Sequence, residues 1–377
     1  MKHKFPTAQE AIRLIKLNND KHCISALLSL KHISPGQRED WNSLDKMMKE
    51  IFEITDGIPG MNQGAFKDSL AELFRSVKFN RNDKGLGIYI SETMFRFMTF
   101  PFEVKERLVL GGSFQIKELH MLRQYAVEYT VLYLSEKKAR LFAGTDGSLT
   151  ELMDGNFPLL HTDQYEYEHP SRSSSYAGNS HLKAFEKDRS VIEKIRFEDF
   201  VRDISKHLHG YLSTESIFIL CGSKAGTASF LNHSEFGDKV ISVIHGCYDW
   251  FDVNEFKELI WPLMQSNIQK RLAGILEEFK ERMGEGFSEE GMVQVWNAVL
   301  EGRVQTLLVE NGYETGGYLD SLTPNIFRPG LAPAAERYMP YAVNELVSLA
   351  DKKGSRVVFV EEGRLPQGDH VAAICRY

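Results

Sequence analysis

The sequence predicts an α/β protein of three domains, and three observations carry that prediction. Apolar runs of strand length alternate along the chain with stretches whose apolar residues recur at helical spacing. The chain, at 377 residues, is too long for one ordinary core. The pattern also changes twice, to a β-meander after residue 120 and to a long helix near 253, which gives domains 1–120, 121–252 and 253–377.

In the first block, residues 7–17 read as a short helix and "CISALLSL" (23–30) as a buried strand. Trp41, Leu44, Met47, Met48, Ile51 and Phe52 keep helical spacing over 36–55, ahead of the turn "DGIPG", and a further helix covers about 65–77. Three short strands follow, "GLGIYIS", "MFRFMTF" and "ERLVLGG", with Pro101 marking a break. This is an N-terminal α/β module.

The second block opens with "EYTVLYLS" (128–135) and "ARLFAG" (139–144), then a "TDG" turn before "SLTEL". That alternation is a meander. A polar stretch comes next, and a helix is expected from about 187, with Phe197, Phe200, Val201, Ile204 and Leu208 on one stripe. "SIFILCG" has the near-continuous apolar run of a central strand, "SKAGTASFLNH" reads as a helix and "KVISVIHG" as a strand. The result is a mixed sheet with helices on its faces.

The third block begins with helical spacing from Phe256 to Phe279, in which Pro262 is expected to kink the helix or start a new one. Helix 288–301, strand "VQTLLVE", a helix over about 334–351, strand "SRVVFVE" and a last strand "HVAAICRY" make a small α/β/α sandwich.

Composition excludes several classes. The chain is 42% hydrophobic and 26% charged, as a globular protein is. It has no apolar run of membrane-spanning length, so no membrane association is expected, and "MKHKFPTAQE" has no apolar segment behind it to make a signal peptide. The four cysteines, Cys23, Cys221, Cys247 and Cys375, lie far apart and read as free thiols of a cytoplasmic protein rather than a zinc cluster. A net charge of −7 gives no overall basic field, so any RNA contact must be local.

"EEGMVQVWNAVLEGRVQTLLVENGYETGGY" resembles the C-terminal domain of the archaeal and eukaryotic class-I release factors and of Pelota. "GDHVAAICRY" resembles their closing strand, and "SIFILCGSKAGTASFLNH" a strand and helix of their middle domain. The order of elements matches over 120–377, and the first 120 residues look like the N-terminal module of the bacterial release-factor-like group of this superfamily, without a stop-codon-reading motif. The resemblance implies a ribonuclease-H-like middle domain and a C-terminal domain like the ribosomal L7Ae type. It implies a bacterial, cytoplasmic translation factor acting at the ribosomal A site, with the ribosome and tRNA as partners and a translational GTPase as a further one. Its activity would be peptidyl-tRNA hydrolysis in ribosome rescue. The alternative is a non-catalytic ribosome- or RNA-binding factor of the same fold that occupies idle ribosomes.

In release factors a Gly-Gly-Gln loop, followed by Ser and a long helix, enters the peptidyl-transferase centre. The matching place here, within an expected tip loop 155–186, reads Tyr176-Ala177-Gly178-Asn179-Ser180. The resemblance makes Gly178, Asn179 and Ser180 the candidate catalytic residues, with Ala177 in place of the first Gly. Asn carries the same side-chain donors and acceptor as Gln but is one methylene shorter. A misplacement of about 1 Å can cost roughly a hundredfold where positioning is the catalytic device, and Ala177 would be strained at positive φ. "AGNS" is therefore open to three readings: a weakened hydrolytic tip, a tip that binds without hydrolysis, or a surface turn at Gly178-Asn179. Arg172, Lys183, Lys187 and Arg189 are a basic set placed to touch phosphates, or else the solvated entry of a helix.

Other constellations are weaker. "CGSKAG" lacks the spacing of a phosphate loop. His161, His169 and His181 with Asp163 and Glu168 could frame a metal but have no ligand spacing. Ser173 to Ser175 form no nucleophile elbow. A nuclease on this scaffold would need a carboxylate cluster for Mg²⁺ at the strand ends, and none is legible. No metal and no cofactor is expected. "GRLPQGD" (363–369) is a turn-rich loop suited to meeting a partner.

Overall fold

The computed structural model describes residues 3–5, 7–30, 38–59, 61, 64–78, 83–125, 128–145, 148–161, 178–212, 217–319, 327–330, 338–366 and 369–377. The fold is mixed α/β, as the sequence predicts. The chain divides into two compact units, one made of Met1–Ala126 with Lys270–Tyr377 and the other of Val127–Gln269.

The first stretch of chain carries α1 (Ala8–Leu17), β1 (Cys23–Ser29), α2 (Arg38–Asp56), α3 (Gly64–Ser76), β2 (Gly85–Ile90), β3 (Phe95–Phe100), β4 (Arg107–Gly111) and α4 (Lys117–Tyr125). Its four strands form a sheet of order β3-β2-β1-β4, antiparallel at each pairing. One face of this sheet packs on α2 and α3 through Leu44, Ile51, Leu70 and Leu73. Thr7 caps α1, its hydroxyl accepting from the Glu10 amide at 3.1 Å.

The middle stretch carries β5 (Tyr129–Leu134), β6 (Lys138–Thr145), β7 (Ser148–Glu151), β8 (Leu159–Leu160), α5 (Gly178–Leu208), β9 (Ile217–Gly222), α6 (Lys224–His233), β10 (Val240–His245) and α7 (Val253–Glu285). The sheet order is β10-β9-β5-β6-β7, with β8 paired to β6. Strands β10, β9 and β5 are parallel, and β5, β6 and β7 make the antiparallel meander. β5 and β9 are buried along their whole length, which is why their apolar runs are unbroken. α5 covers one face and the start of α7 the other.

The last stretch carries β11 (Ser288–Glu290), α8 (Met292–Glu301), β12 (Val304–Glu310), β13 (Gly317–Leu319), β14 (Phe327–Pro329), β15 (Tyr338–Met339), α9 (Ala342–Lys352), β16 (Arg356–Val360) and β17 (Val371–Cys375). Its main sheet runs β11-β17-β12-β16, and β14-β13-β15 is a small second sheet. The main sheet holds α8 and α9 on one face and the end of α7, through Ile275 and Phe279, on the other.

One core joins the two ends of the chain. Phe5, Ile12, Leu119 and Leu122 pack in the same cluster as Val295, Leu307, Leu346 and Phe359. Polar groups fix the join. The Asn344 side-chain carbonyl accepts from the Ile116 and Lys117 amides at 2.7 and 3.1 Å, serving the orphan donors at the start of α4. Gln124 donates to the Phe359 carbonyl and accepts from its amide, both at 2.6 Å. Glu118 and Glu314 hold Arg107 at 2.6 and 3.1 Å, and Glu314 also pairs with Lys117.

Three helix bounds are corrected and one open reading is decided. Pro262 lies inside a single helix, α7, so of its two readings the opening of a new helix falls. Only one main-chain hydrogen bond is lost at a proline, and the apolar residues on either side still face the sheets. The helix expected over 288–301 begins at Met292, after the short strand β11. The helix expected from 334 begins at Ala342. The helix expected from about 187 begins at Gly178.

A candidate tip on a long helix

α5 contains neither Gly nor Pro after Gly178 and is rich in Lys, Glu and Arg, so nothing in its run breaks a helix before Leu208. Its 31 residues span about 46 Å. Among the described side chains of α5, those of the C-terminal part are the buried ones. Phe200, Val201, Ile204 and Leu208 are buried in the core beneath the sheet, and Phe197 lies against them. Gly178 stands about 28 Å from Phe197 along the helix axis. On the part between, Val191, Ile192 and Ile195 are each 42–51% exposed.

The chain that leads into the tip segment is fastened to the base of α5. Asp154 turns the backbone, its Oδ1 accepting from the Asn156 and Phe157 amides at 3.1 and 3.3 Å. The Tyr211 hydroxyl donates to the same carboxylate; this bond holds the Asp154 carboxyl below its usual range and the Tyr211 phenol above its own. Phe157 is buried, edge-on to Tyr211 and His207. His161 stacks on Phe200 at 4.8 Å and donates through Nδ1 to the Glu136 carbonyl at 2.8 Å. His161 is thus a structural clasp at the mouth of the segment.

The sheet under this base is stiffened from its other face. Arg140 donates twice to Glu151, at 2.7 and 2.6 Å, and lies over the rings of Phe142 and Phe256. Glu151 holds the Arg140 guanidinium above its ordinary range. "CGSKAG" is the turn from β9 into α6. Ser223 caps α6, accepting from the Gly226 amide at 3.1 Å. A Cβ on Gly222, at φ +156°, would meet the Leu134 carbonyl oxygen at 2.2 Å, so the close approach of β5 and the turn requires glycine there.

Of the candidate catalytic residues, Gly178, Asn179 and Ser180 form the first turn of α5. Lys183, Lys187 and Arg189 follow in the same helix, Lys183 and Lys187 at i and i+4 and so on one face. Arg172, Tyr176, Ala177 and Ser173 to Ser175 lie outside the described residues, as do Asp163, Glu168 and His169. Among the described residues no group of three or more His, Cys, Asp or Glu is placed to hold a metal ion. The "GRLPQGD" loop is anchored by Glu310, which accepts from the Gly363 and Leu365 amides at 2.8 and 3.2 Å and meets His370 Nδ1 at 2.7 Å; Gln367 and Gly368 lie outside the described residues. Among the described residues no helix is long and apolar enough to cross a membrane.

The residues that sequence reasoning missed are Val191, Ile192 and Ile195. At about 100° per residue they fall on the side of α5 opposite the buried stripe, so the pattern that marked the base of the helix gave no signal for them.

The meander, the central parallel pair and the long helix α5 all lie in a stretch that matches a known family. Residues 128–303, a little under half of the chain, match the family model described as Bacterial archaeo-eukaryotic release factor family 3. The recognition made from the sequence therefore holds. The crystal structure of the archaeal translation termination factor aRF1 is similar at 15% identity, over 100% of this chain and 99% of that one, with a TM-score of 0.24. Archaeoglobus fulgidus Pelota is similar at 12% identity over 98% and 92%, with a TM-score of 0.32. S. cerevisiae Dom34, described as a translation termination-like factor that interacts with Hbs1, is similar at 12% identity over 98% and 93%, with a TM-score of 0.39. At such low identities and scores these likenesses say nothing of activity. No curated protein matches the chain.

Proposed function

We propose that this protein is a cytoplasmic translation factor that acts on the ribosome, reaching toward peptidyl-tRNA with the segment that opens α5. The observation that carries this is the start of α5 at Gly178 inside the span matched by the release-factor-like family model. On this reading Gly178, Asn179 and Ser180 are the catalytic tip, and they lie about 28 Å along the helix axis from Phe197. The reading takes the middle domain as ribonuclease-H-like and the C-terminal sandwich as L7Ae-like, and retains the three-domain division at 120 and 252. The Asn179 amide would orient water against the peptidyl-tRNA ester in ribosome rescue. Lys183 and Lys187, on one face of the helix, and Arg172 and Arg189 would meet backbone phosphates. A translational GTPase is a partner of the same reading.

Two experiments test it. Sedimentation of the protein with ribosomes is the first, and failure to sediment removes the ribosomal reading. The second adds the protein to stalled ribosomes that carry labelled peptidyl-tRNA. Release that falls in Asn179→Ala supports hydrolysis. Binding without release supports the factor that occupies idle ribosomes, to which the shorter reach of Asn179 lends weight.

A further inference from the structure

Between β10 and α7 the chain makes a tight turn, Tyr248-Asp249-Trp250-Phe251, closed by the Phe251 amide donating to the Tyr248 carbonyl at 3.1 Å. Both ends of the turn are fastened. The Tyr248 amide donates to the hydroxyl of buried Tyr133 at 3.0 Å, and Arg140 donates to the Phe251 carbonyl at 3.1 Å. The rings of Tyr248 and Phe251 meet edge-on at 5.0 Å, and each lies 5.8 Å from the ring of Phe256, which is fully buried. The core of the middle sheet therefore holds the backbone of this turn in one place.

At its crest, Trp250 is 92% exposed, more than any other large apolar side chain among the described residues. Tryptophan is on average a well-buried residue. Folding gains nothing from an indole left in water, so a fixed turn that presents one calls for an explanation outside the fold. The charges beside it narrow the choice. Asp249 meets Lys138 at 3.8 Å, a long ion pair. Asp252 caps α7, its Oδ1 accepting from the Asn254 and Glu255 amides at 2.7 and 2.9 Å, and Glu255 accepts in return from the Asp252 amide at 2.8 Å. Asp252 and Glu255 are exposed, and their bonds to backbone amides bring no countercharge. An exposed indole can stack on a nucleobase or receive a cation on its face. A nucleic acid would bring phosphates up to three carboxylates. A guanidinium brings the opposite charge and a planar group that stacks on the ring.

We infer that this turn docks a basic segment of a partner protein, with an arginine guanidinium laid on the Trp250 indole and neighbouring cations facing Asp249, Asp252 and Glu255. The indole selects the stacked arginine, and the carboxylates speed the encounter and set its orientation. The inference stands apart from the ribosomal reading.

The test is fluorescence anisotropy of labelled hexa-arginine amide titrated with the full-length protein. Saturable binding that weakens as salt is raised is expected. Trp250→Ala should weaken it roughly three- to thirtyfold. The melting curve of that variant should stay in place, because the side chain packs on so little. Asp252→Asn keeps a good helix cap and removes one charge, and should weaken binding roughly two- to fivefold. Five results overturn the inference: no binding of hexa-arginine; equal binding by Trp250→Ala, which leaves a general charge effect only; tighter binding of labelled hexauridylate than of hexa-arginine, which makes the occupant RNA; a melting temperature lowered by several degrees in Trp250→Ala, which makes the indole a packing residue; or a dimer in sedimentation that Trp250→Ala dissolves, which makes the occupant a second copy of the chain.

Discussion

The two units bury different chemistry. Among the described residues of the middle unit, the buried polar side chains are the hydroxyls of Thr130, Ser135, Ser205 and Thr227, and none is charged. The unit built from the chain ends buries Arg107, Lys117, Glu118, His120 and Glu310. The contrast follows from construction. The middle unit is one sheet with helices on its faces, specified mainly by apolar packing. The other joins segments far apart in sequence, and the buried ions and amides select one way of docking them. Buried charge is a poor source of net stability, but it makes a wrong arrangement expensive.

The largest effect should come from breaking that ionic join. Glu118→Ala removes the carboxylate that receives Arg107 at 2.6 Å, both side chains being almost wholly buried. Leaving a buried cation short of its partner costs about 3–5 kcal/mol, which urea unfolding would read. Glu118→Leu, paired with Arg107→Met, should recover much of the loss. If the single change costs no more than a surface substitution, the charges do not specify the join.

In the middle unit the corresponding change is purely steric. Ile204 on the buried face of α5 is fully covered, and Ile204→Ala should cost about 2–4 kcal/mol through lost burial and the cavity left behind. The units should also part in acid. Asp351 is pushed up by burial, but hydrogen bonds from His120 and Lys16 outweigh this and hold its carboxyl at about 2, against an ordinary 3.8. A depressed carboxyl stabilises the fold above its ordinary value, and that contribution is lost as pH falls through about 2. Its worth is about 2 kcal/mol. Burial lowers the His120 pKa, so acid works against that neighbour too. Hydrogen exchange between pH 5 and pH 2 should show α1, α4 and α9 losing protection before β5 and β9 do. Asp351→Asn should flatten the difference.

Local chemistry was legible in the sequence, and long-range chemistry was not. β5, β9 and β12 announce themselves because a doubly covered strand must be apolar throughout. The stripe from Phe197 to Leu208 fixes the base of α5 for the same reason. α4 escaped because "KELHMLRQY" is mostly polar, and its burial comes from partners more than two hundred residues away, Asn344 and Phe359 among them. The short strands β11, β13, β14 and β15 are too brief to show a period. At the candidate site, the motif placed Gly178, Asn179 and Ser180, but the polar run after them hid a helix. "HLKAFEKDR" has good helix formers but only Leu182 and Phe185 as large apolar residues, too few to show a period.

α5 also supplies the smallest expected effect. Val191, Ile192 and Ile195 belong to the same helix as Ile204 and have similar side chains, yet they cover nothing among the described residues. Replacing Ile192 and Ile195 together by Ser should change unfolding free energy by no more than about 0.5 kcal/mol, against the several expected at Ile204. If the bare part of α5 serves recognition, the same double variant should lose ribosome association while its melting curve stays in place. Equal stability losses at Ile195 and Ile204 would mean that both parts of the helix are packed, and α5 would then be a scaffold along its whole length rather than an arm that carries Asn179 to its substrate.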